Sequence, residues 1–159
     1  MDELRETARH GTEEVRRIAR RLRPEALEDL GLRSGLATLA ATLGEQAHID
    51  VHRHLESAPA LTQEQELVIY RVAQEALTNV TRHAGATAVE LVLVSDQRRT
   101  VLTVDDDGHC VPSESLSSAS GIRGMRERAM LIGADLDVHA RAEGGTRVRL
   151  IVPHDEPAA

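Results

Sequence analysis

Glu75, Asn79 and Arg82 fall within one run, EQELVIYRVAQEALTNVTRHA, at residues 64–84. At 3.6 residues per turn they share a helix face with Arg71 and Thr78, placing a carboxylate, an amide and a guanidinium in line. Ile69, Ala73, Ala76, Leu77 and Val80 gather on the opposite stripe, the side such a helix buries. A polar line of this kind is most often a solvated face, but Asn is a mediocre helix former and needs a reason to sit mid-helix. Two further groups carry chemistry. Asp105-Asp106-Asp107-Gly108-His109-Cys110 sets three carboxylates in a row, which is either a solvated turn or a site. Gly121-Ile122-Arg123-Gly124-Met125 opens a helix, where paired glycines let backbone amides approach an anion with the helix dipole in support.

The elements that must position these groups follow from local signals. Thr62 and Gln65 form a capping box ahead of the helix at 64–84, and Gly85 stands where a left-handed residue would end it. Before it, residues 27–47 have helical spacing, broken at Gly31 and re-capped at Ser34, with Leu36, Leu39, Ala40 and Leu43 inward. Residues 49–55 read as a short strand; His52 and His54 share one face of it as a surface pair, with no third metal ligand nearby. After Gly85 the period changes to two. Residues 88–94 and 100–105 form an antiparallel pair around the turn 95–99. Residues 111–120 have the composition of a mobile loop, a helix runs from 121 to about 132, and strands at 135–140 and 146–152 close the chain. At the start, Leu4, Ala8, Gly11, Val15, Ile18 and Leu22 form a short heptad seam, interrupted by Pro24.

Composition excludes several classes. The 159 residues suffice for one domain with a sizeable core, and that core must be aliphatic because Tyr70 is the only aromatic side chain. A net charge of −7 argues against a general nucleic-acid binder. All 19 basic residues are Arg; a Walker-type phosphate loop and the third strand of a eukaryotic-type protein kinase both need Lys, so neither operates here in its usual form. A single Cys excludes an intrachain disulfide and fits a reducing compartment. No apolar run approaches the length of a membrane span.

Taken in order, QEALTN with RHA, DDDGHC after a strand, GIRGMRERA, and GGTRVRL before a final strand resemble the ATP-binding domain of two-component sensor histidine kinases. Within the GHKL ATPase superfamily the match is to the branch whose response regulators are of the NarL type. It covers roughly residues 27–153. The resemblance implies an α+β fold: a two-layer α/β sandwich, the Bergerat ATP-binding fold, with a mixed sheet of about five strands and helices on one face. Residues 1–26 resemble the end of a dimerisation helix and its linker; residues 154–159 are a tail.

By the same resemblance, Asn79 would ligate Mg²⁺ and Glu75 would polarise, or take the proton of, the attacking imidazole. Arg82 and His83 would contact phosphate oxygens. Asp106 would accept from the exocyclic amine of adenine, with Gly108 and the neighbouring Cys110 near the base. Gly121, Ile122, Arg123, Gly124 and Met125 would lie at the lid over the triphosphate, and Thr146 would support Asp106 through water. One amide oxygen beside the phosphates can hold a cation that keeps most of its waters, and arginine with helix N-termini can supply the positive field. The implied ligands are ATP and Mg²⁺; the implied partners are a phosphoacceptor domain, a response regulator indirectly, and a second copy through the N-terminal helix. The implied setting is the cytoplasm, with a parent kinase that can be membrane-anchored.

The chain departs from the family pattern twice. Cys110 stands where the family has the second glycine of its first glycine box, and nothing here fits the phosphoacceptor His, since His10 precedes Gly11-Thr12 off the heptad seam. The expectation is a catalytic domain that binds Mg-ATP without phosphorylating itself efficiently. Two other readings remain: an anti-sigma-factor-like serine kinase that holds a partner on the same fold, and a degenerate nucleotide-binding scaffold.

Overall fold

The computed structural model describes residues 23–58, 60–109 and 119–154, without the side chains of His83 and Ala84. The heptad seam, His10, Cys110, most of the loop at 111–120 and the end of the tail lie outside the described residues. The elements run α1 (Glu25–Ala47), β1 (Asp50–Leu55), α2 (Gln63–Asn79), a π-helical turn (Val80–Ala84), β2 (Ala88–Ser95), β3 (Arg99–Asp106), α3 (Ser120–Leu131), β4 (Asp135–Ala140) and β5 (Thr146–Pro153).

Five strands form one mixed sheet in the order β1-β2-β3-β5-β4, with β1 parallel to β2 and the other pairs antiparallel. The helices stack against the sheet: α2 crosses β3 and β5, α1 packs beside it over β1, and α3 packs beside it over β4. Two-residue periodicity delivers Leu91, Leu93, Leu102, Val104, Val148 and Leu150 to this shared interior. From the helices come Leu27, Leu36, Ile69, Ala73, Leu77 and Met125, each at most 1% exposed. Burying an aliphatic side chain of this size contributes on the order of 1.5–3 kcal/mol, so the core is held by aliphatic packing with Tyr70 as its one aromatic ring. Its architecture is the expected α+β sandwich.

Local expectations mostly hold. Thr62 accepts from Gln65 N–H while Gln65 returns its side chain to Thr62 N–H, completing the capping box. Gln65 also donates to the carbonyl of Pro153 at 3.0 Å, tying the start of α2 to the end of β5. The stripe from Ile69 to Val80 is buried. Gly31 breaks α1 with φ 75°, but the helix resumes directly after it, so Ser34 is an interior residue rather than a cap. The helix at 64–84 is not uniform: its α-helical part ends at Asn79, the last turn widens to π geometry, and Gly85 closes it in the left-handed region at φ 55°. His52 and His54 are exposed on β1, and among the described residues no three His, Cys, Asp or Glu side chains form a metal-holding group.

The aspartate run is where the purely solvated account fails. β3 continues through Asp106, and Asp105 and Asp106 are each only 5% exposed. Asp105 points away from the helices and meets Arg147, its register partner on β5, in a fork with contacts of 2.8 and 2.5 Å. Asp107 is exposed and clips β3 to the start of β2: its carboxylate accepts from the backbone N–H of Thr87 and Ala88 at 2.8 and 2.9 Å and from the Thr87 hydroxyl at 2.6 Å. These donors, led by the Thr87 hydroxyl, lower its pKa to about 2.

Two stability measurements follow. A depressed pKa stabilises the fold above the unfolded value of 3.8 and is lost as pH falls through about 2. Asp107→Asn is therefore expected to lower the melting temperature at pH 7 by about 2–4 °C. The gap from the wild type should narrow as the pH of the melts falls below 3.8; a gap independent of pH in that range would show that the charge is not what holds the clip. Gly145 has φ 84°, and a Cβ there would run into the carbonyl of Asp106. Gly145→Ala is expected to cost about 2–4 kcal/mol in urea denaturation, combining backbone strain with that overlap. Gly144→Ala, with φ 99° but its nearest atom 3.8 Å away, should cost only the strain.

Candidate functional site

Between α2, the start of α3, the end of β3, the start of β5 and the middle of β4 lies a cleft of about 550 Å³. That volume falls within the range of small-molecule sites. Its apolar walls are Val80, Val104, Ile122, Met125, Val138 and Val148. Valines dominate because the two-residue alternation of three strands presents β-branched residues on this face, whereas Ile122 and Met125 come from one stripe of α3.

The polar groups converge from opposite sides. α2 supplies Glu75 and Asn79, one turn apart and half-buried, and the π turn adds Arg82 at the exposed rim. The widened turn continues the polar line beyond Asn79; such π segments recur at functional sites. From the sheet come Asp106 and Thr146, and from the first turn of α3 come Ser120 and Gly121. Asp106 closes β3 on the helix-facing side, directly after Leu102 and Val104 in the alternation.

Burial pushes the Asp106 carboxyl above its ordinary pKa, and the neighbouring Asp107 charge adds to this. The backbone N–H groups of Gly108 and Thr146 and the charge of Arg141 act the other way. Gly108 N–H donates to Asp106 Oδ1 at 2.9 Å, and Arg141 Nη1 donates to the Asp106 carbonyl at 2.7 Å. The carboxylate is thus aimed and partly satisfied, with acceptor capacity left for a donor entering the cleft.

Of the residues singled out in the sequence, Glu75, Asn79, Arg82, Asp106, Gly121 and Thr146 come together around this cleft, with Ile122 and Met125 in its wall. Gly108 lies behind Asp106, as a donor to it. Thr146 reaches Asp106 through its backbone N–H. Arg123 does not turn into the cleft: it is 78% exposed and paired with Glu127 at 3.0 Å on the outer face of α3. Gly124 faces the Arg128 side chain. The side chain of His83, and Cys110 altogether, lie outside the described residues.

Sequence reasoning missed three contributors. Arg141 and Gly145 shape the backbone around Asp106, and Ser120 stands at the cleft mouth. Only Gly145 carried a local signal, the Gly144-Gly145 pair; the partner of Arg141 depends on how a hairpin folds back onto β3.

The histidine kinase-, DNA gyrase B- and HSP90-like ATPase family matches residues 64–156. Over 142 residues the chain is 34% identical to the signal transduction histidine-protein kinase/phosphatase UhpB of Salmonella typhimurium, covering 87% of this chain and 28% of that protein. It is 35% identical over 145 residues to the sensor histidine kinase MctS of Rhizobium johnstonii, covering 88% and 31%. The chain therefore spans less than a third of the length of these relatives. Among solved structures, the histidine kinase domain of the blue-light activated histidine kinase of Erythrobacter litoralis is similar at a TM-score of 0.68 and 25% identity, covering 77% of this chain and 65% of that one. The ATP-binding domain of PrrB from Mycobacterium tuberculosis shares the fold at a TM-score of 0.59 and 24% identity, covering 76% and 92%. A family match across most of the sheet, the helix that carries Glu75 and Asn79, and the strand that carries Asp106 makes this chain a member of the histidine kinase-, DNA gyrase B- and HSP90-like ATPase family.

Proposed function

We propose that the cleft binds Mg-ATP with adenine at Asp106 and the phosphates toward Asn79, Arg82 and the start of α3, and that the chain is the catalytic part of a sensor histidine kinase. The observation that carries this reading is the placement of a buried, aimed carboxylate and a half-buried amide at different points of one apolar-walled cleft. An exocyclic amine is a donor that completes the capacity of Asp106, and the valine and methionine walls suit the faces of a planar ring. Asn79 offers one oxygen to a hard cation, which would draw its remaining ligands from water and phosphate. Bound there, Mg²⁺ would neutralise phosphate charge.

The acceptor in this reading is a His on a dimerisation domain, of which residues 1–26 are the end and the linker. Its ring nitrogen forms the N–P bond while the bond from the γ-phosphorus to the bridging oxygen breaks, leaving ADP. Glu75 takes the proton released from the imidazole, and Arg82 balances charge on the transferring group. A response regulator of the NarL type would then receive the phosphoryl group. Among the described residues no helix is long and apolar enough to cross a membrane; the cytoplasm is the compartment this reading implies.

Calorimetric titration of ATP with and without Mg²⁺ tests the assignment. Asp106→Asn should weaken ATP binding about 10–100-fold, because an amide has a single acceptor oxygen to share among Gly108 N–H, Thr146 N–H and the incoming amine. Its Mg²⁺ dependence should survive. Asn79→Ala should instead lose the Mg²⁺-dependent part of the affinity; if that part is intact, Asn79 is not the ligand. Transfer of labelled phosphate to a separately supplied dimerisation domain, with none appearing on His10, is the expected outcome for activity.

A further inference from the structure

Arg141 stands just past β4, outside the residues that line the cleft, yet its guanidinium reaches back over the end of β3. There Nη1 donates to the Asp106 carbonyl at 2.7 Å. The loop that carries it is closed on itself: Arg141 N–H donates to the Gly145 carbonyl at 2.9 Å, and Gly144 N–H donates to the Arg141 carbonyl at 3.2 Å. The Arg141 side chain is 24% exposed, whereas Glu143, its carboxylate neighbour at 3.4 Å, is 85% exposed and screened by water. A held cation thus sits beside a buried carboxyl. The other charges around Asp106 are Asp107 on its own strand and, across the cleft, Arg82 of the π turn and Glu75 of α2, which lies against Gly121. Asp105 is on the opposite face with Arg147, and the His109 ring lies beside Gly85.

We propose that Arg141 is a positioning residue that sets which purine the cleft accepts, holding Asp106 in place and ionised so that it takes an amine at the 6-position and turns away a carbonyl oxygen there. This rests on the ATP reading above and adds the determinant of its base selectivity. A carboxylate only accepts hydrogen bonds, so it pairs with the amine of adenine and repels the oxygen that replaces that amine in hypoxanthine. Once protonated, the same group carries an O–H and donates to that oxygen instead. Burial and the Asp107 charge drive Asp106 toward the protonated form, and Arg141 opposes both. Removing the cation therefore raises the pH at which the carboxyl protonates, and with it the pH below which the two bases are no longer distinguished.

The test is calorimetric titration of the full chain with ATP and with inosine triphosphate (ITP), both with Mg²⁺, from about pH 8 down to about pH 5. The two ligands carry the same triphosphate, so its titration cancels from the ratio of their affinities. Arg141→Gln keeps an N–H donor for the Asp106 carbonyl but no charge. Its preference for ATP should fall about 10-fold further across this range than that of the wild type, the effect of roughly one pH unit in the protonation of Asp106. Arg141→Lys restores the charge and should recover most of the wild-type profile. A wild-type profile in Arg141→Gln would overturn the proposal, as would a loss equal for both nucleotides at every pH, which is what a merely structural latch produces. If thermal melts show Arg141→Gln to be unfolded, Arg141→Lys decides: a retained profile supports the role of the charge, and a lost one overturns it. A wild type that prefers ATP, with variants that share its profile, removes this proposal alone; a wild type that binds neither nucleotide removes the ATP reading with it.

Discussion

The close passage of the β4–β5 loop over the end of β3 is the contact on which the site depends. Gly145 lies on the carbonyl of Asp106 where no side chain would fit, Arg141 donates to that same carbonyl, and the N–H of Thr146 faces the Asp106 carboxylate. Backbone and side chain of one residue are therefore held from a single hairpin. This matters because a buried carboxylate is costly unless its lone pairs are met. Gly108 and Thr146 supply enough donors to keep the group aimed, while leaving acceptor capacity directed at the cleft.

Three consecutive aspartates illustrate how a strand separates identical side chains. The pleat sends Asp105 to the face away from the helices, where Arg147 forks onto it, and Asp106 to the face that lines the cleft. Asp107, just past the strand, turns back to hold β2. Each has its own donors: a guanidinium, two backbone amides at the site, and a threonine with two further amides at the clip. Had all three remained in water their mutual repulsion would simply have been screened. Here the three are partitioned among separate partners, the charge of Asp107 still pushes the Asp106 carboxyl upward, and only the central carboxylate is left for a ligand.

The opposite wall follows the same logic from a helix. The buried stripe from Ile69 to Val80 anchors α2 across β3 and β5, which leaves Glu75 and Asn79 no direction but toward α3 and the cleft.

Much of this was legible from residue order. Capping at Thr62, termination at Gly85, the break at Gly31, the hairpin at 88–106 and the polar line of Glu75, Asn79 and Arg82 are local, since each depends on residues within one or two turns of each other. Register and layer contacts are not local. The fork between Asp105 and Arg147 joins residues 42 apart, and the hydrogen bond from Arg141 to the Asp106 carbonyl joins residues 35 apart. Arg123, on a helix whose other face lines the cleft, turned outward because Ile122 and Met125 took the buried stripe. Sequence alone thus determined the elements, their order and the candidate side chains, because hydrogen-bond capping and hydrophobic period act over a few residues. Only the tertiary structure decided which aspartate is buried, which is paired, and that Glu75 meets Gly121, because those outcomes depend on how strands pair and helices stack.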